Sequence, residues 1–280
     1  MCKLVKKIRW KKSVTSFKEM KMFRLIRKLP IVGNYHKLFS EQMQKPFLFA
    51  FDFDHTIVDD NTDTVARDLV PREKIPKHVE ELYAVDGWTT YMGEVFKILH
   101  ASSITPAQIK AAVRAIPAVP HLDDLLRYLR ENDCEVVVIS DSNSVFIEEW
   151  LRGSSLDATV RRVFTNPAHF SEDGLLHISM HHLQDWCKLS SKNLCKGHIL
   201  ERYIEGRRAE GVSFPRVSYV GDGRNDLCPS LRLSADDLVF PRIGFALHKA
   251  IEKQEAALEA SVHPWRDGSD IMNVVSQILK

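Results

Sequence analysis

Residues 47–63 read FLFAFDFDHTIVDDNTD. Phe47 to Phe51 is an apolar run that follows Pro46 and halts at two carboxylates, Asp52 and Asp54, with Thr56 just beyond. A continuous run of this length is the pattern of a strand buried on both faces, as in a parallel sheet. Open α/β sheets bind their ligands beyond the carboxyl ends of the strands. Asp52 and Asp54 stand there, two positions apart, and so on one side of an extended chain. Two carboxylates so close repel each other unless a cation joins them or one keeps a proton. Hard oxygen donors of this kind suit magnesium.

Two further stretches end the same way. Residues 216–226 read RVSYVGDGRND, an apolar run followed by Gly221-Asp222-Gly223 and Asn225-Asp226. Cys134 to Ile139 ends at Ser140-Asp141. One strand ending in turn-forming aspartates is commonplace. Three strands that each finish on oxygen-bearing side chains point to a shared site.

Around these stretches the 280-residue chain is 44% hydrophobic and 27% charged, an ordinary globular mixture large enough for one core with an insertion. No apolar run has the length needed to cross a bilayer. Five cysteines (Cys2, Cys134, Cys187, Cys195, Cys228) form an odd set without framework spacing, and no secretory signal precedes them. Free thiols in a reducing compartment, and hence a cytoplasmic protein, are expected.

The net charge of +2 conceals an asymmetry: residues 1–45 carry 13 Lys or Arg against Glu19 and Glu41, whereas the remainder holds 26 basic and 35 acidic residues. The basic arm, interleaved with Ile8, Trp10, Phe17 and Phe23, reads as a flexible extension, as an amphipathic segment on an anionic membrane surface, or as an organelle transit peptide. Met43 would serve as an alternative start that spares the core. No nucleic-acid recognition motif accompanies the charge.

Helical periodicity predicts helices over 77–83, 90–99 and 106–115, with breaks at Pro71, Pro76, Pro117 and Pro120. Residues 64–120 therefore read as a helical cap, inserted between the first strand and the rest of an α/β core formed by 46–63 and 121–280. The later pattern alternates: helix 122–132, strand 134–139, helix 145–151, short strands 160–164 and 175–180, helix 196–208, strands 217–220 and 237–240, helices 244–260 and 269–279. That order predicts a doubly wound parallel sheet.

Asp52-Phe-Asp54-His-Thr56, Ser140 after a strand, Lys196 opening a helix, and Gly221-Asp222-Gly223-x-Asn225-Asp226 together resemble the four motifs of the haloacid dehalogenase superfamily. DFDHTIVDDNTD, ISDSNS, KNLCK and YVGDGRNDLCP more closely resemble the phosphoethanolamine/phosphocholine phosphatases and their pyridoxal phosphate phosphatase relatives. The resemblance covers about residues 46–280 and implies a Rossmann-like core that hydrolyses small phosphomonoesters with magnesium. It implies that Asp52 is the nucleophile and Asp54 the acid and base. Asp54 also distinguishes a phosphatase from a dehalogenase, whose reaction leaves no alkoxide to protonate. Asp52, Asp222, Asp226 and the Asp54 carbonyl are the implied metal ligands, with Asp226 acting directly or through a water. Thr56, Ser140 and Lys196 are the implied phosphate-binding groups.

Asp63 and Asp141 stand where the phosphoethanolamine/phosphocholine enzymes hold a cationic head group; both also read as helix N-caps. Trp88 and Tyr91 read either as ring platforms for a cation or as cap core. His55 carries no assignment. His181, His182, Cys187, Cys195 and His198 invite structural zinc, but no CxxC pair exists, and Ser190 stands where the relatives tend to have another cysteine. The competing function is a membrane-docking or scaffolding protein with a vestigial phosphatase fold; every catalytic position being filled argues against it. Oligomeric state is not legible in the sequence.

Overall fold

A computed structural model describes residues 47–279; the basic arm and every reading placed on it lie outside the described residues. The strands are β1 (Leu48–Phe51), β2 (Glu135–Asn143), β3 (Arg162–Asn166), β4 (Ala168–Phe170), β5 (Leu176–Ile178), β6 (Val217–Gly221), β7 (Leu238–Pro241) and β8 (Ser261–Val262). All but β4 and β5 join one sheet of order β3-β2-β1-β6-β7-β8, and every pairing in it is parallel.

β1 is buried at all positions, as its unbroken apolar run requires. Alternate residues serve opposite faces: Phe47, Phe49 and Phe51 join one core cluster, Leu48 and Ala50 the other. Phe51 pairs with Val138 on one side and Val220 on the other. The residues that follow these positions therefore emerge side by side at the carboxyl end of the sheet.

Between β1 and β2 run α1 (Thr62–Arg67), α2 (Lys77–Asp86), α3 (Trp88–Ala101), α4 (Pro106–Arg114) and α5 (Leu122–Glu131). Gly87, at φ 87°, breaks α2 from α3 in a conformation that favours glycine. Thr105 and Gln108 close a capping box at the start of α4, with Pro106 in the first turn. The core of α3 and α4 is continuous with the cluster beneath the sheet, through Phe96, Val113, Phe146 and Phe53. The antiparallel β4–β5 hairpin lies against α3, where Ile178 meets Gly93 and His100 Nε2 lies 3.0 Å from the Asp173 carbonyl.

The remaining helices are α6 (Ser144–Gly153), α7 (Lys196–Ala209), α8 (Leu227–Ser230), α9 (Ala246–Glu252) and α10 (Gly268–Ile278). The helix expected over 244–260 stops at Glu252, because Gln254 takes a left-handed φ of 54°. β8, which no periodicity announced, pairs with β7. The N-caps expected at Asp63 and Asp141 are instead Asn61 for α1 and Asn143 for α6. No helix among the described residues is long and apolar enough to cross a membrane.

Candidate active site

Asp52 leaves β1 with its amide still bonded to the Val220 carbonyl at 2.9 Å. Asp222 follows β6, and Asp226 closes the turn that leads into α8. Carboxylate oxygens of Asp52, Asp222 and Asp226 all lie within 4.8 Å of one another. Lys196, the first residue of α7, extends between two of them: its Nζ is 2.6 Å from Asp52 Oδ2 and 2.8 Å from Asp226 Oδ1. Lys196 and Asp226 are wholly buried and Asp52 nearly so.

Asp226 is saturated with donors. Tyr219 donates its hydroxyl to Oδ1 at 2.7 Å, and the Asp222 and Gly223 amides donate to Oδ2 at 3.0 and 2.8 Å. Gly221 is obligatory here, since a Cβ at that position would lie 2.5 Å from the Asp226 carboxyl carbon.

One lysine against three carboxylates leaves an excess of negative charge in a dry pocket. Burial, with Asp226 and Asp222 adding to it, pushes Asp52 well above the usual carboxylate range despite Lys196. Burial and Asp226 push Asp222 up to about 7. Burial alone would favour neutral Lys196; Asp226 and Asp52 outweigh it and hold the ammonium charged. A buried set of this composition, short of positive charge and made of hard oxygen donors, fits a divalent cation.

Asp54 faces a different environment. It accepts from the Thr62 amide at 3.0 Å and the Thr62 hydroxyl at 3.2 Å, and that hydroxyl lies 2.7 Å from Ser142 Oγ. Burial, followed by the charge of Asp63, raises its pKa well above the ordinary value. Asp54 is thus disposed to hold a proton. The Thr56 hydroxyl is buried without a hydrogen-bond partner. Ser140 is buried, and its Oγ accepts the Ser142 amide at 3.2 Å. His55 turns the chain with a φ of 54°, its carbonyl held by Arg242 at 2.6 Å.

Asp63 and Asp141 are placed differently. Asp63 is buried beneath Trp88, whose indole nitrogen donates to it at 2.7 Å. Burial pushes Asp63 up to about 7, with Asp141 adding to the effect. Asp141 is exposed, accepts from Asn225 Nδ2 at 3.2 Å, and lines a cleft of about 590 Å³ with Tyr83, Trp88, Asn193, Arg224 and Asn225. Tyr91 is buried in the core beside Trp88.

The family model described as "Putative Phosphatase" matches residues 47–279. The chain belongs to that phosphatase family. Members of this family are phosphoric monoester hydrolases of the haloacid dehalogenase fold, and this chain is one of them. It is 37% identical to human pyridoxal phosphate phosphatase PHOSPHO2 over 240 residues, covering 83% of this chain and 98% of that one. It is 36% identical to human phosphoethanolamine/phosphocholine phosphatase over 240 residues, covering 84% of this chain and 90% of that one. A phosphoserine phosphatase, solved as a phospho-aspartyl intermediate analogue, shares the fold with a TM-score of 0.54 at 19% identity, covering 82% of this chain and 99% of that one.

Sequence reasoning missed Thr62, Ser142 and Tyr219. A tyrosine in a buried strand reads as core, and nothing local links Thr62 to a carboxylate eight positions earlier. It also left out Cys228, which lies with Cys187 and Cys195 rather than with the histidines grouped with them.

Proposed function

We propose that the chain hydrolyses small phosphomonoesters with magnesium through a phosphoryl group carried on Asp52. The observation that carries this reading is Lys196 bridging Asp52 and Asp226 inside a buried set of carboxylates. Magnesium, held by Asp52, Asp222, Asp226 and the Asp54 carbonyl, would neutralise phosphoryl charge.

Asp52 Oδ attacks phosphorus, a P–O bond forms to Asp52, and the bond to the substrate alcohol breaks. Asp54, whose proton affinity burial and the Asp63 charge raise, delivers its proton to the departing alkoxide. The Asp54 carboxylate then takes a proton from water as that water attacks phosphorus, and Asp52 is released with inorganic phosphate. Thr56, whose hydroxyl lacks a partner, and Ser140 donate to the phosphoryl oxygens, while Lys196 stabilises the charge that builds during transfer.

The substrates are those whose phosphate is tethered near a cation or a cationic ring: phosphoethanolamine, phosphocholine or pyridoxal 5'-phosphate. Supporting this are the relatives named for such substrates and the cleft wall, where Asp141 supplies negative charge and Trp88 a ring face. Asp63 fixes the Trp88 indole from below. Residues 64–120, joined by the β4–β5 hairpin, act as the cap over this cleft.

The test is a parallel turnover measurement on the three phosphomonoesters, with and without magnesium, for the parent chain and for Asp52→Asn. Magnesium-dependent phosphate release by the parent, absent from a folded Asp52→Asn, supports the reading. Release that survives in Asp52→Asn overturns it.

A further inference from the structure

The longest stretch between regular elements in the described residues runs from β5 to α7. It carries Asn193, whose amide nitrogen reaches Thr89 Oγ1 of α3 at 2.9 Å and Asn166 Oδ1 of β3 at 2.7 Å. This loop therefore ties the cap helices to the sheet, and it ends at Lys196. Its middle is organised by buried Gln184. The Gln184 side chain accepts the Cys187 amide at 2.7 Å and donates to the Ser191 carbonyl at 2.5 Å.

That arrangement brings three thiols from three segments together. Cys187 comes from the loop, Cys195 caps α7, and Cys228 lies in α8. Cys187 Sγ is 3.4 Å and Cys195 Sγ 3.7 Å from Cys228 Sγ, and all three sulfurs lie within 4.8 Å of one another. Zinc–sulfur bonds of about 2.3 Å at tetrahedral angles set sulfurs about 3.8 Å apart. The triangle matches that spacing to within a few tenths on its two short edges. The buried Ser190 hydroxyl lies beside Cys187 and Cys228 with no hydrogen-bond partner of ordinary geometry. His182 is otherwise engaged, since its Nε2 accepts the Cys195 amide at 3.0 Å.

We propose that Cys187, Cys195 and Cys228 bind one thiophilic divalent ion of the zinc class, with a water or the Ser190 hydroxyl in the fourth position. Three thiols release their protons to solvent as three metal–sulfur bonds form. The ion fastens the loop to the two segments that carry Lys196 and Asp226. Cys195 precedes Lys196 directly, and Cys228 follows Asp226 by two residues. Hard magnesium is kept from the thiols and the soft-tolerant ion is drawn to them, so the neighbouring carboxylate and thiolate sites take different metals. Binding of the ion stands independently of the phosphatase chemistry.

The experiment uses the full chain, reduced and stripped with chelator, then titrated with cobalt(II). A thiolate-to-cobalt charge-transfer band that saturates at one equivalent, is displaced by zinc and is indifferent to excess magnesium is expected. Cys187→Ser, at a partly exposed position that keeps the fold, abolishes the band; Cys134→Ser retains it. Ser190→Cys supplies a fourth thiolate and tightens zinc binding at least tenfold. Zinc, and not magnesium, protects the 181–195 loop from limited proteolysis. Absence of the band in the reduced parent, or a band that survives Cys187→Ser, overturns the proposal.

Discussion

Lys196 and Asp52 meet at 2.6 Å in a pocket that excludes solvent from both side chains. Neither group is stable there alone. Removing one member of a buried ion pair leaves an uncompensated charge and costs about 3–5 kcal/mol. Lys196→Met is therefore expected to lose that order of stability in denaturant titration, along with its activity. A variant as stable as the parent would contradict the electrostatic account of the pocket.

Tyr219 supports the carboxylates proposed to hold magnesium, donating to Asp226 at 2.7 Å. Loss of an outer partner of a metal ligand costs about 10–100-fold in metal affinity. Tyr219→Phe is expected to raise the magnesium concentration for half-maximal activity by that factor while kcat at saturating magnesium changes much less. Titration of activity against magnesium checks it; an unchanged requirement would remove Tyr219 from the site.

Asp63 gives the protein a pH-dependent weakness. Burial raises its folded pKa to about 7, above the ordinary carboxylate value of 3.8. A carboxyl raised in the folded state favours folding when protonated, and this advantage is lost as pH climbs from about 4 towards 7. Asp63→Asn cannot ionise, so its stability relative to the parent is expected to be greater at pH 8 than at pH 5. Thermal unfolding of both proteins across that range measures the difference; parallel curves would contradict it.

Asp141 faces the cleft, whereas Asp63 lies under Trp88. Asp141→Asn is expected to raise KM for phosphocholine about three- to tenfold, the loss of roughly 1 kcal/mol from a partly exposed ionic contact. A phosphomonoester without a cation should be little affected. Equal effects on both substrates would mean that Asp141 reads the phosphate rather than the head group.

Much of this molecule is legible in its sequence because the central strands are buried on both faces. Such strands must be continuous apolar runs, and 47–51, 134–139 and 217–220 are. The polar residues that end them then stand out, and parallel neighbours in β2-β1-β6 order bring those ends together. What escapes the sequence depends on partners distant along the chain. Tyr219 looks like any core aromatic until Asp226 folds back against it. Asp63 looks like a cap, although Asn61 does the capping and Asp63 turns inward to Trp88. β8 spans only Ser261–Val262, too short to register a period. The thiol cluster draws on segments 41 residues apart, between Cys187 and Cys228, with no spacing rule to announce it.

In the proposed reaction Asp52 transiently carries the phosphoryl group. Rapid acid quench of the enzyme with phosphate-labelled phosphocholine or pyridoxal phosphate, followed by peptide mapping, would capture this intermediate. Hydroxylamine-labile label is expected on the peptide holding Asp52, formed and discharged at rates that support turnover, and absent from Asp52→Asn. Turnover with no label on that peptide, or label on another residue such as a histidine, would contradict it.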